Sequence, residues 1–141
     1  MYHNITIMLI ALFRTLFSDE YRVQQLIADL AADDPDEASA AAEELGERQA
    51  AFAVPALLQL LAMTAVDGFT GEPGARIDLR QDVVRALGRI ADARSVQALA
   101  DVLASEPDRG VCYEALHALR QIGTPAAVEI VQQWENKTGS T

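Results

Sequence analysis

Apolar residues along this chain fall into short helical stripes that are interrupted at recurring places. Leu79, Val83, Val84, Leu87 and Ile90 share one helical face, and Val96, Leu99, Val102 and Leu103 form the next stripe after a short break. The same two-stripe unit occurs elsewhere. Ala42-Glu-Glu-Leu-Gly46 precedes Val54-Pro-Ala-Leu57, Val84-Arg-Ala-Leu-Gly88 precedes Val96-Gln-Ala-Leu99, and Leu116-His-Ala-Leu-Arg120 precedes Val128-Glu-Ile-Val131. Leu45, Leu87 and Leu119 superpose, as do Val54, Val96 and Val128, and Ile90 matches Ile122. Each unit reads as a helical hairpin. Asp78, Asp92 and Thr124 are placed to cap helix starts by accepting a bond from a free backbone N–H. Pro125 at a first helical position gives up no helical hydrogen bond. A single hairpin cannot bury its own apolar face, so the copies must stack.

The interval between copies is uneven, 42 residues and then 32. The excess falls in residues 64–77, where Asp67-Gly68, Gly71 and Pro73-Gly74 are turn signals. The expectation is an inserted surface loop. Asp67, Phe69, Glu72 and Arg76 are its candidate partner contacts, because insertions in repeat arrays sit on one face.

The chain opens on a dense apolar run, Ile5 to Phe17, in which Ile5, Leu9, Leu12, Phe13 and Leu16 make a helical stripe. The run is shorter than the roughly 20 residues that span a bilayer, and Arg14 interrupts it. It lacks the basic lead-in of a secretory signal. The plain expectation is a capping helix buried on the rest of the fold, pairing with a second helix over Arg22 to Ala31. Ile7, Met8, Ile10 and Phe17 widen the stripe beyond one face and are candidates for self-association, as in a homodimer.

The expected organisation is one domain: a capping hairpin at 1–32, repeats at 36–63, 78–104 and 108–135 around the 64–77 insertion, and a tail at 136–141. Its 141 residues are enough to bury a core without a metal or disulfide staple. Acidic residues outnumber basic ones 21 to 11, for a net charge of −10. That balance argues against nucleic acid, whose affinity comes from cations meeting phosphates, and against anionic membrane surfaces. A partner with a basic surface fits better. The single cysteine, Cys112, excludes an intramolecular disulfide and suits a reducing, cytoplasmic setting.

The repeated pattern resembles the short HEAT-like repeat of the phycobilisome-lyase type. The matching stretches are DEASAAAEELGERQAAFAVPALLQLLA, DLRQDVVRALGRIADARSVQALADVLA and DRGVCYEALHALRQIGTPAAVEIVQQW. The resemblance implies an all-α, right-handed solenoid of about four stacked hairpins whose second helices line a concave surface. Superposing the copies puts Gln59, Asp101 and Gln133 at one position of those helices. A second row holds Pro55, Gln97 and Glu129, and a third holds Leu58, Ala100 and Gln132. By the resemblance, Gln59, Asp101, Gln133, Leu58, Gln97, Glu129 and Gln132 face the binding groove. On the first helices, Glu43, Arg85 and His117 align and are expected to be solvated.

Catalytic material is sparse. Glu114 and His117 lie three apart, but no second Glu-x-x-His supplies the facing half of a bundle metal site. Cys112 and His117 lie five apart, about 140° around a helix, so they do not form a nucleophile pair. Related hydroxylases bind two irons through paired His-Glu dipeptides, which this chain lacks. Trp134 reads as a core plug for the last hairpin. The expectation is a noncatalytic protein-interaction module with no cofactor and no metal. The resemblance leaves two alternatives, a lyase or chaperone subunit for a tetrapyrrole-carrying protein and a self-associating structural protein.

Overall fold

A computed structural model describes residues 2–65 and 71–139. Among them are seven α-helices and no strand: α1 (Tyr2–Asp29), α2 (Pro35–Glu47), α3 (Val54–Met63), α4 (Pro73–Ile90), α5 (Val96–Ser105), α6 (Arg109–Ile122) and α7 (Pro125–Thr138). Short 3₁₀ turns, Ala51–Ala53 and Ala93–Ser95, lead into α3 and α5. The molecule is an all-α solenoid in which α2/α3, α4/α5 and α6/α7 are successive hairpins.

Local chemistry sets the helix ends. Asp34 accepts a bond from the Asp36 amide at 2.9 Å ahead of Pro35, the first residue of α2. Thr124 accepts from the Ala127 amide at 3.2 Å, as its position predicted, whereas Asp92 accepts from the Arg94 amide at 2.9 Å and caps the 3₁₀ turn ahead of α5 rather than α5 itself. Asp78 does not cap. It lies inside α4, which starts five residues earlier at Pro73. Gly123 ends α6 at φ +65°, and Ala91 ends α4 in the same left-handed region at φ +57°.

The core runs along the array between the two helix layers. Leu45, Val54, Leu57, Leu87, Leu99 and Leu119 are fully buried. Neighbouring first helices, α2 with α4 and α4 with α6, approach most closely. Glycine permits this: a Cβ on Gly46 would stand 2.9 Å from Ala86 Cα, and one on Gly88 would stand 2.8 Å from Ala118 Cα. The matching position of the last copy is Arg120, which is exposed and ion-pairs with Glu135. The second helices stand farther apart.

Two expectations about the leading part are overturned. Residues 1–32 do not form a hairpin. Tyr2 to Asp29 is one helix of 28 residues, because no glycine, proline or capping residue interrupts it near Ser18 strongly enough to stop it. Nor is the apolar run buried. Leu26 and Leu30 dock on the body with Val23 and Ile27 beside them, whereas every residue from 2 to 21 is exposed. The body ends before the helix does. Arg22 fixes the docked half through a two-pronged bond to Glu44, at 3.0 and 2.6 Å, and Arg48 joins the same carboxylate.

Candidate functional site

The second helices carry the predicted rows on their open side. Gln59, Asp101 and Gln133 are all exposed, as are Gln97, Glu129 and Gln132. Gln97 donates to Asp101 at 3.0 Å and Gln133 to Glu129 at 3.3 Å, so each row is tied to the next along its own helix. Since α3, α5 and α7 are the splayed layer, this is an open, ridged face and not a crowded groove. Leu58 departs from the prediction. It is half-buried and packs against the core, because the 3.6-residue period turns it towards Leu57 and Leu61.

Beside this face, the docked half of α1 leaves a hollow of about 620 Å³ against α3. Gln24 and Ile27 line one wall, and Phe52, Pro55 and Gln59 the other, with Arg94 at the margin. Phe52 is 74% exposed. It stands one turn before Pro55, so an apolar residue extends the polar rows at the α1 end. The sequence carried no signal for it, because in the other copies Arg94 and Ala126 occupy its position.

The last part of the 64–77 insertion, from Pro73, is helical and not a loop. Asp67 and Phe69 lie outside the described residues. Glu72 is exposed at the start of α4. Arg76 is buried, because residues 73–77 are helical and extend α4 back over the end of α3. Arg76 donates to the Thr64 carbonyl at 3.3 Å, and Arg80 to the Leu61 carbonyl at 2.6 Å. These carbonyls belong to the last turn of α3 and its cap, where helices leave acceptors unpaired. Both guanidinium groups also hold Glu106, at 3.3 and 2.7 Å, in the turn between α5 and α6. The Glu106 side chain is 1% exposed. Burial alone would raise its carboxyl, but the bonds from Arg76, the Asp108 amide and Arg80 outweigh burial and hold it below the ordinary carboxylate range. The cluster is internal bracing. Sequence reasoning missed Glu106, since nothing in Glu106-Pro107-Asp108 shows which arginines reach it.

The candidate chemical groups do not converge. Glu114 binds Arg85 at 2.7 Å while His117 points to solvent, and the described residues contain no cluster of three or more metal-binding side chains. On the first-helix row Glu43 is exposed, whereas Arg85 is held between Asp82 and Glu114. The Cys112 thiol is half-buried and donates to the Glu106 carbonyl at 3.4 Å. Burial first, then the nearby Glu106 and Asp108 charges, pushes its pKa up, which disfavours the reactive thiolate. Trp134 packs against the core and also forms part of the wall of an open hollow of about 380 Å³ with Cys112 and Tyr113.

The free half of α1 carries a row of exposed apolar residues with no assigned role. Ile7, Met8, Ile10 and Phe17 are exposed, and so are Ile5, Leu9, Leu12, Phe13 and Leu16. No helix among the described residues is long and apolar enough to cross a membrane.

Stacked two-helix units with a recurring glycine–alanine contact, Gly46 on Ala86 and Gly88 on Ala118, define a helical repeat protein, whose surfaces are suited to binding other proteins. A family model described as HEAT repeats matches residues 73–139, the span of α4 to α7, so this part of the chain is similar to HEAT repeats. No curated protein matches the chain.

Proposed function

We propose that this chain is a noncatalytic protein-interaction module that binds a partner protein through the open face of α3, α5 and α7. The observation that carries this reading is the exposed, in-register series Gln59, Asp101 and Gln133 on three successive second helices. Gln97 and Glu129 flank it, and Phe52 offers an apolar anchor at one end. Adaptable polar side chains around an exposed aromatic suit protein recognition. The net charge of −10 favours a partner with a basic surface, whose association slows as salt rises. A cytoplasmic setting accords with the lone free thiol.

The test uses the tagged full chain and its Asp101→Arg/Gln133→Arg variant. Both side chains are exposed, so the variant should melt like the wild type. A stoichiometric partner is first recovered from the native host and purified, and its affinity for both forms is then measured by calorimetry. We expect affinity to fall by at least tenfold in the variant. Equal affinity would remove the second-helix face from the reading.

A further inference from the structure

We propose that the free half of α1 is a self-complementary arm that pairs antiparallel with the same segment of a second copy of this chain. The reading is independent of the partner-binding face, which lies on other helices.

The argument begins with spacing. Ile5, Leu9, Leu12 and Leu16 recur at alternating intervals of four and three, and Val23, Leu26 and Leu30 continue in phase. This alternation is the seam by which one helix lies along another. Its second half is used already, since Leu26 and Leu30 are buried on the body of this same chain. Asp19 occupies the seam position between the halves and is exposed. Beyond it the seam continues without a cover. Ile5 is 52% exposed, Leu9 59%, Leu12 55% and Leu16 66%.

The free seam reads the same in both directions. With a two-fold axis midway between Leu9 and Leu12, Leu9 meets the second copy's Leu12 and Ile5 meets its Leu16, while Met8 and Phe13 flank the seam on opposite sides. Every apolar seam residue finds an apolar counterpart, as a closed two-fold interface requires. Tyr2 then stands beside Asp19, and the unpaired N–H groups that open each helix come near an acidic residue of the other.

Charge selects the same occupant. The chain carries −10 overall, so two copies repel across most of their surfaces. From residue 2 to residue 18 the one formally charged side chain is Arg14, which lies on the side of α1 opposite the seam. Copies can therefore meet along the arm without bringing acids together. An arm of about 20 residues is roughly 30 Å long, and antiparallel pairing holds the two bodies at opposite ends. Four seam residues and the flanking Met8 and Phe13 of each copy, half covered at roughly 100 Å² each when fully buried, give a total burial on the order of 600 Å². That is a small interface, so the dimer should dissociate on dilution. Phe17, whose ring lies 4.3 Å from that of Phe13, extends one edge of the seam. Ile7 and Ile10 fall on the outer side, so the self-association expected of them moves to Ile5, Leu9, Leu12 and Leu16.

The experiment is light scattering of the full chain over a concentration series, beside a Leu9→Asp/Leu12→Asp variant. Those side chains touch no part of the body, so the variant's thermal transition should match the wild type. We expect the wild type to approach twice the monomer mass and the variant to remain monomeric. Short-span thiol cross-linking, in a Cys112→Ser background, reads the geometry. Leu9→Cys mixed with Leu12→Cys should cross-link more than either alone. A monomeric wild type at every concentration would overturn the proposal, as would a dimer unaffected by the double substitution. Preferential linking of Leu9→Cys to itself would overturn the antiparallel register. Wild-type chain that stays monomeric but sediments with phosphatidylcholine vesicles would assign the arm to a lipid surface instead.

Discussion

Glu106 shows how one residue can brace three helices. Its carboxylate is held between Arg76 and Arg80 of α4, and those arginines also cover the last carbonyls of α3. Replacing Glu106 with Gln leaves two guanidinium groups beside a neutral amide in a site closed to water, and should cost about 3 kcal/mol. The pH dependence has a definite sign. A carboxyl held below its ordinary range when folded contributes stability that is fully present above the unfolded pKa and is lost as pH falls through the folded one. The gap in urea midpoint between wild type and Glu106→Gln should therefore be widest near neutrality and close in acid. Ser95 makes the opposite case. Its hydroxyl is buried with no hydrogen-bond partner among the described residues, while Ala53 and Ala127 stand at the matching positions of the other copies. Ser95→Ala should raise stability by about 1 kcal/mol, measured by the same urea titration.

At the scale of the element, the contact between first helices depends on a missing side chain. Alanine is favoured over glycine in a helix by about 1 kcal/mol. At Gly88 that preference should lose, because the added Cβ would lie 2.8 Å from the backbone of α6 and push the helices apart. Gly88→Ala should be destabilising by roughly 1 kcal/mol net. Gly74→Ala, in the open first turn of the same helix with nothing within 4 Å, should be neutral or slightly stabilising. Thermal melts of the two variants separate packing from propensity. The leucine–glycine signature was visible in the sequence as a recurrence, but its physical role was not, since periodicity does not reveal what a missing side chain admits. The start of α4 was misread for a related reason. Pro73 and Gly74 looked like a loop, yet proline and glycine are tolerated in a first helical turn. What holds that turn is the reach of Arg76 and Arg80 to another helix.

For the whole molecule, the sequence alone determined the class: repeating apolar stripes, caps at Asp92 and Thr124, and copies that can bury their faces only by stacking. These are local signals, and short-range sterics and hydrogen bonding enforce them wherever the chain goes. Superposing the copies and their resemblance to a known repeat also pointed to outward-facing residues of the second helices, of which Leu58 proved half-buried. Only the tertiary structure decided where the body ends. The seam of α1 is continuous in sequence from Ile5 to Leu30, but Leu26 and Leu30 have a partner and Ile5 to Leu16 have none. The same limit applies to Arg76 and Glu106, which are separated by 30 residues and joined in one buried ion pair. A pattern along one helix specifies that a face must be covered. What covers it depends on which surfaces the fold brings within reach.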